Sequence, residues 1–214
     1  MKSSTIKFLL ASSSPYRAKM LAQLGIAFEQ CAPDIDEAPL AGELPRDMAQ
    51  RLSKQKAQAL RAQFPEHIVI ASDQVACIEG ELTPITKPGS VSKARAQLQA
   101  CSAKQVYFHT GLCVTAPEHI AKARNQNADV SMVETFSVKF RALDHAQICR
   151  YIDIEQPLQC AGSFKAEGLG IRLFESFDGR DYNTLIGLPL MALIDILLGF
   201  GIDILNTQKT KEDK

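Results

Sequence analysis

Hydrophobic and polar positions alternate along the first part of the chain in blocks that predict strands and helices in turn. Residues 6–11 form an apolar run with one lysine, and Met20, Leu21 and Leu24 follow at helical spacing. Three serines and Pro15 stand between these blocks, and proline suits the first turn of a helix because its missing N–H needs no partner there. The pattern predicts a strand, a tight hydroxyl-rich loop and the start of a helix.

The rest of the chain continues this alternation and then changes to longer paired strands. Strands are predicted at 26–32, 68–71 with an extended continuation at 75–78, 105–115, 130–140, 158–162 and 169–177, helices at 45–63, 92–101, 143–151 and 183–198, turns at 79–81 and 178–181, and a loop at 117–129. This order indicates an α/β fold with a mixed, twisted sheet flanked by helices. We expect a single domain over residues 1–206 and a disordered charged tail over residues 207–214.

The composition argues against several classes of function. Formal net charge is zero over 214 residues, which disfavours nucleic-acid binding through bulk charge. The six cysteines form no CxxC motif and the four histidines form no helical pair, so we expect free thiols and a reducing compartment rather than a zinc site. No apolar segment approaches the roughly 20 residues that span a bilayer. We therefore expect a cytoplasmic protein with no membrane partner and no stable nucleic-acid partner.

The hydroxyl loop before the first helix is a candidate phosphate site. A helix N-terminus presents free N–H groups and a partial positive charge, and Ser12 and Ser14 add hydroxyl groups. Arg17, in the first helical turn, can donate to two phosphate oxygens at once. The same residues would also form an ordinary helix cap beside a solvated arginine.

Two acidic segments are candidates for a divalent-metal site. Asp73 follows a buried strand, and strand ends are where ligands usually bind in α/β sheets. Asp36 and Glu37 lie in a loop bracketed by prolines, and carboxylates that converge there would suit Mg²⁺ or Mn²⁺. The alternatives are that Asp73 is a turn residue and that the acidic loop is solvated.

The remaining candidate functional residues are three lysines and a segment that contains several glycines. A helical lysine such as Lys54 or Lys56 is usually solvated, whereas Lys87 precedes a proline that restricts its backbone. Glycines within 160–170 permit close approach to a flat ligand, and Glu167 among them could accept hydrogen bonds from the edge of a base. A flexible surface loop is the alternative for this segment.

The order of these motifs resembles that of the Maf-type nucleoside triphosphate pyrophosphatases over about residues 6–200. The motifs are Ser-x-Ser-Pro-x-Arg, the Asp-Glu loop, Gln-Lys-Ala, Ser-Asp-Gln-Val, Lys-Pro, His-Thr-Gly and Asn-Thr-Leu-Ile-Gly-Leu-Pro. Tyr16 and the segment from Cys160 to Gly168 resemble the 7-methyl-GTP branch rather than the pyrimidine-directed branch. The loop before Lys87 is longer than is usual in the family.

The resemblance implies an inosine triphosphatase-like architecture with a cleft between two lobes, and hydrolysis of a nucleoside triphosphate, 7-methyl-GTP above all, to the monophosphate and pyrophosphate. By resemblance, the catalytic residues are Asp73, Glu37 and Lys56, the phosphate-binding residues are Ser12, Ser14, Arg17, Lys56 and Lys87, the base-specificity residues are Tyr16, Gln74 and Glu167, and the metal-binding residues are Glu37 and Asp73. It further implies a divalent cation (Mg, Mn or Co) and a homodimer. The alternatives are dTTP, UTP or another non-standard nucleotide as substrate, or a nucleotide-sensing regulator of cell division with little turnover.

Overall fold

A computed structural model describes residues 6–206, so the charged tail predicted at 207–214 lies outside the described residues. In chain order the elements are β1 (Lys7–Ala11), α1 (Pro15–Ala22), β2 (Phe28–Cys31), α2 (Pro45–Arg61), β3 (His67–Ile78), α3 (Val91–Cys101), β4 (Gln105–Thr115), α4 (Glu118–Ala123), β5 (Asp129–Phe140), α5 (His145–Glu155), β6 (Phe174–Asp178), α6 (Tyr182–Ile186) and α7 (Leu190–Gly199). No helix within 6–206 is long and apolar enough to cross a bilayer.

The strands form one mixed sheet of six strands in the order β2-β1-β3-β4-β5-β6, which confirms the predicted α/β class. β1 pairs in parallel with β2 and β3, and the remaining pairs are antiparallel. β3 is 12 residues long, but its pairing with β1 ends at Ile70. On that side the next partner of β3 in the described chain is Ile85, which bridges to Ala76. The five-residue stretch between Ile70 and Ala76 therefore borders a gap at the end of β1.

The two faces of the sheet carry different helices. α2 covers one face, where Leu9, Val69 and Cys113 pack against Ala57 and its neighbours. The opposite face carries two separate apolar clusters. One packs α1 and α7 against the beginning of β3 and the end of β4, and the other packs α3 and α5 against the opposite ends of these strands.

A row of polar side chains lies between the two clusters, under the segment that contains α6. Ser72, Gln74 and Thr110 point to the face opposite α2, because side chains alternate along a strand. All three donate hydrogen bonds to backbone carbonyls of the segment that contains α6, at 2.7–2.8 Å. The short α6 segment thus lies across the row, between the two clusters.

Several predicted elements were wrong in detail. The predicted loop 117–129 contains α4, and 3-10 turns at Ala161–Ser163 and Leu169–Leu173 interrupt the predicted strands 158–162 and 169–177. β6 pairs with β5 only from Phe174 onward, so the strand begins there. The single helix predicted at 183–198 is two helices, because Gly187 adopts φ +117° and Pro189 lacks an N–H to continue the helix.

Candidate active site

One ammonium group joins two carboxylates beside the gap at the end of β1. Lys56 Nζ lies 2.5 Å from Asp73 Oδ1 and 2.6 Å from Glu37 Oε1. Lys56 and Asp73 are only 6% and 7% exposed, whereas the Glu37 side chain is 59% exposed. Lys56 is therefore not one of the solvated helical lysines, while Lys54 is exposed, as such a lysine usually is. The acidic loop reaches the same point through Glu37.

Close contact between α2 and the sheet places Lys56 at Asp73. Gly111 is the β4 partner of Asp73 in register, and a Cβ on Gly111 would lie 2.1 Å from the Ala49 carbonyl oxygen and 2.8 Å from Ser53 Oγ. Because Gly111 has no side chain, the α2 backbone rests directly on β4. Lys56 lies one helical turn after Ser53 on the same buried face of α2, which brings its ammonium group to the carboxylate. This contact gives a structural reason for the glycine of the His-Thr-Gly motif.

Asp73 lies in the middle of β3. The prediction that it lies at a strand end and the alternative that it is a turn residue are both wrong. The prediction was wrong because pairing with β4 extends β3 well beyond the end of β1. Burial raises the pKa of the Asp73 carboxyl group, Lys56 and Arg17 oppose the rise, and Glu37 adds to it. A carboxylate with a raised pKa is a stronger base than one in water, which suits it to accept a proton from a water molecule.

The hydroxyl loop places Arg17 near the Asp73 and Glu37 carboxylates. Ser14 is the N-cap of α1 and accepts a hydrogen bond from the Arg17 backbone N–H at 3.3 Å. Arg17 Nε donates to the Gly187 carbonyl at 2.8 Å, and Nη1 donates to Ser12 Oγ at 3.4 Å. Burial lowers the pKa of the guanidinium group, and the nearby Asp73 and Glu37 carboxylates oppose this effect. The predicted helix cap is therefore present, and Arg17 is half-buried rather than solvated, while phosphate binding by this loop stays a prediction.

A pocket opens on the opposite face of the sheet, beside the polar row. It is lined by Tyr16, Gln74, Phe108, Cys160, Ala161, Phe164, Lys165, Ala166, Glu167, Leu185 and Ile186. Tyr16 and Cys160 are neighbours in this lining, and the charge of Cys160, followed by burial and Glu167, raises the pKa of the Tyr16 hydroxyl. The three predicted base-specificity residues thus share one pocket. Lys87 is exposed on the same side and acts on Cys160 electrostatically.

The Glu167 loop is held in place by three hydrogen bonds to its backbone. Tyr151 Oη accepts from the Lys165 N–H at 3.0 Å, Tyr182 Oη donates to the Ala166 carbonyl at 2.9 Å, and Glu155 Oε1 accepts from the Leu169 N–H at 2.8 Å. The segment is therefore better ordered than the flexible surface loop that was the alternative. Glu167 itself is exposed at the pocket edge.

Sequence reasoning missed two contributors to the site. The Gly187 carbonyl accepts hydrogen bonds from both Arg17 and Ser72, and Cys160 contacts Tyr16. Both positions lie within motifs of the sequence, but no local pattern indicates that Gly187 contacts a residue 170 positions earlier in the chain. All six cysteines are free thiols, as expected.

Glu37 and Asp73 fit a divalent cation whose other ligands come from water and the substrate. Within residues 6–206 no three His, Cys, Asp or Glu side chains gather into a set that would hold a metal by protein donors alone. Magnesium commonly takes one or two carboxylates and completes its shell with water and substrate phosphates. Glu37 and Asp73, whose carboxylates meet at one ammonium group, supply that smaller set.

Comparison with known proteins gives a family match and a close relative. A family model described as Maf-like protein matches residues 7–200. The 7-methyl-GTP pyrophosphatase of Pseudomonas aeruginosa is 47% identical over 196 residues, which cover 92% of this chain and 97% of that protein.

Solved structures give more distant likenesses. The Ham1 protein of Staphylococcus aureus has a TM-score of 0.47 at 13% identity, with 90% of this chain and 98% of that chain covered. A nucleoside-triphosphatase (dITP/XTP pyrophosphatase) from Mycobacterium abscessus has a TM-score of 0.38 at 16% identity, with 64% and 76% covered.

Proposed function

Because this chain belongs to the Maf family, we propose that it hydrolyses 7-methyl-GTP to 7-methyl-GMP and pyrophosphate. The observation that carries the proposal is the buried Lys56–Asp73 pair, which lies beside Glu37 and Arg17 and close to a pocket that contains an aromatic ring and a carboxylate. The name of the 47% identical relative supports the choice of substrate. Residues 1–206 would form the catalytic domain.

The phosphate chain would lie in the gap between the end of β1 and β3. A nucleoside triphosphate is strongly anionic, and cationic groups reduce the repulsion between its phosphates and an attacking water. At this point Lys56 is a buried cation and Arg17 a half-buried one. Ser12 and Ser14 add polar groups of the hydroxyl loop, and Lys87 would reach the substrate from the exposed side.

In the reaction, the oxygen of a water molecule bonds to the α-phosphorus and the bond from that phosphorus to the bridging oxygen breaks. Pyrophosphate leaves with the electron pair of the broken bond. Asp73 would orient the water and accept its proton, which its raised pKa favours. Glu37 and Asp73 would hold a divalent cation (Mg, Mn or Co), which when bound neutralises charge on the phosphate oxygens.

The pocket on the opposite face would select the base by charge. Methylation at N7 gives guanine a delocalised positive charge, and an aromatic ring such as Tyr16 favours a cation by roughly 0.5–2 kcal/mol. Glu167 would accept hydrogen bonds from the N1–H and N2–H₂ donors of the base. Gln74 lines the same pocket and is fixed by donating through Nε2 to the Thr184 and Leu185 carbonyls at 2.7 Å and 3.1 Å.

A panel of nucleotides tests this proposal. Purified protein with Mg²⁺ would be given 7-methyl-GTP, GTP, dTTP, UTP and dITP, and both the monophosphate and pyrophosphate would be measured. We expect kcat/KM to be highest for 7-methyl-GTP. A preference for dTTP or UTP would reassign the substrate, and tight binding without turnover would favour a nucleotide-sensing regulator.

Two further expectations concern the oligomeric state and the cellular location of the enzyme. The homodimer implied by the family resemblance and the cytoplasmic location expected from the composition stay predictions. Light scattering of the purified protein would test the first, and fractionation of cells that express it would test the second.

A further inference from the structure

Arg51 and Glu43 form a bidentate ion pair that ties the segment after the acidic loop to α2. Arg51 Nε lies 2.6 Å from Glu43 Oε1, and Arg51 Nη2 lies 2.7 Å from Glu43 Oε2. The side chains are only 20% and 9% exposed, respectively. A guanidinium group that meets a carboxylate through two parallel hydrogen bonds fixes direction as well as distance. Arg51 is therefore held in one orientation on the helix that also carries Lys56.

The same arginine also holds the residue that follows Glu37. Arg51 Nη2 donates to the Ala38 carbonyl at 3.1 Å, and the Leu40 N–H donates to Glu43 Oε2 at 3.1 Å. Glu37 itself is largely exposed, so little packing restrains its side chain. A free side chain of this kind would lose conformational entropy each time it met a ligand. Fastening the adjacent backbone removes part of that cost in advance.

The ion pair stays charged at neutral pH. The hydrogen bond from Arg51 lowers the pKa of Glu43, and the hydrogen bond to Glu43 raises the pKa of Arg51. The attachment of the acidic loop to α2 thus persists at neutral pH.

We propose that Arg51, locked by Glu43, is a positioning residue that sets the Glu37 carboxylate against Lys56 and so tightens binding of the divalent cation. This inference rests on the proposed function for the identity of the reaction. Arg51 forms no hydrogen bond with Lys56 or Asp73, although its charge acts on Asp73 electrostatically. The positioning effect would pass through Glu37, and Arg51→Lys, which keeps the charge, separates it from the charge effect on Asp73.

The test compares Arg51→Gln and Glu43→Gln with a matched control, Arg61→Gln. Arg61 also lies on α2 and also donates to backbone carbonyls, those of Pro65 and His67, at 2.5 Å and 2.8 Å. We expect the half-saturating Mg²⁺ concentration for 7-methyl-GTP hydrolysis to rise about 10-fold to 100-fold in the first two variants, with a smaller change in kcat at saturating Mg²⁺. We expect no such rise in Arg61→Gln. Arg51→Lys keeps the charge but not the fork, so it should behave like Arg51→Gln.

The background variant Glu37→Gln decides whether Arg51 acts through Glu37. In that background Arg51→Gln should have no further effect on the Mg²⁺ requirement, since coupled residues are not additive. An equal rise with and without the Glu37 carboxylate would overturn the proposal.

A second readout needs neither metal nor turnover. Hydrogen–deuterium exchange of the amides at 36–42 should speed up in Arg51→Gln and stay unchanged in Arg61→Gln. Unchanged exchange at 36–42 in Arg51→Gln would overturn the proposal. If the parent protein hydrolysed none of the nucleotides, the proposed function would fail, while the exchange measurement would still decide whether Arg51 orders the Glu37 loop.

Discussion

Replacing Lys56 with methionine removes the ammonium group from a buried pair and keeps most of the side-chain volume. Asp73, which is 7% exposed in the parent, would then keep Arg17 as the other cation that lowers its pKa. Burial already raises the pKa of Asp73, and Lys56 is the strongest influence that lowers it. The Lys56→Met variant should therefore have an Asp73 pKa still higher than that of the parent.

The cost to stability follows from the burial of both partners. Removing one partner of a buried ion pair costs about 3–5 kcal/mol of unfolding free energy, because an uncompensated charge is left behind. Loss of the contact with the exposed Glu37 adds at most about 1 kcal/mol. In a protein of this length each kcal/mol lowers Tm by about 2–4 °C. We expect Lys56→Met to unfold about 6–24 °C below the parent at pH 8.

The stability difference between Lys56→Met and the parent should depend on pH, and the raised pKa of Asp73 gives the direction of that dependence. A carboxyl group whose folded pKa lies above its unfolded pKa stabilises the fold fully at low pH, and this contribution is lost as pH rises through the folded pKa. The stability gap between Lys56→Met and the parent should therefore shrink as pH falls from 8 to 5. Adding Asp73→Asn to Lys56→Met should recover most of the loss at pH 8, since a neutral amide needs no counter-charge.

Thermal unfolding followed by circular dichroism over this pH range measures both effects. A gap that stays constant with pH, or a double variant as unstable as Lys56→Met alone, would refute the account of Lys56 and Asp73 as a coupled buried pair.

Three more substitutions test how the site is built. Gly111→Ala should lower both Tm and turnover, because its new Cβ would lie 2.1 Å from the Ala49 carbonyl oxygen and push α2 away from the sheet. Thermal unfolding and a pyrophosphate-release assay measure the two effects, and a variant with the Tm and the rate of the parent would contradict the prediction. Glu167→Ala should reduce the preference for 7-methyl-GTP over GTP by more than it reduces total turnover, and an equal fall for both substrates would show that Glu167 does not face the base. Tyr182→Phe removes the hydrogen bond to the Ala166 carbonyl and should narrow the same preference severalfold with little change in kcat for GTP; a preference equal to that of the parent would contradict a positioning role for Tyr182.

Local signals in the sequence predicted the parts of the fold that neighbouring residues determine. Ser14 and Pro15 begin α1 as their types predict, because an N-cap acceptor and a proline at the first position suit a helix start. Strict alternation predicted β4 and β5 within one residue, since each has side chains that alternate between two differently packed faces.

Contacts between distant segments determined what the sequence could not predict. Whether β3 stops at Ala71 or continues through Asp73 depends on its pairing with β4, which no local pattern reports. Likewise, Lys56 is typical of a solvated helical lysine until the absence of a side chain at Gly111 lets α2 rest on the sheet. The ordered motif set indicated the family, but the partnership of Tyr16 with Cys160 required the fold.

The most direct test of the central claim is the rate at which Asp73→Asn releases pyrophosphate from 7-methyl-GTP at saturating Mg²⁺. The matched control is Asp47→Asn, which changes an exposed carboxylate on α2. If Asp73 accepts the proton of the attacking water, its amide variant should lose about 10²–10⁴-fold in kcat while the control keeps the parent rate. Turnover by Asp73→Asn at the parent rate would contradict the account.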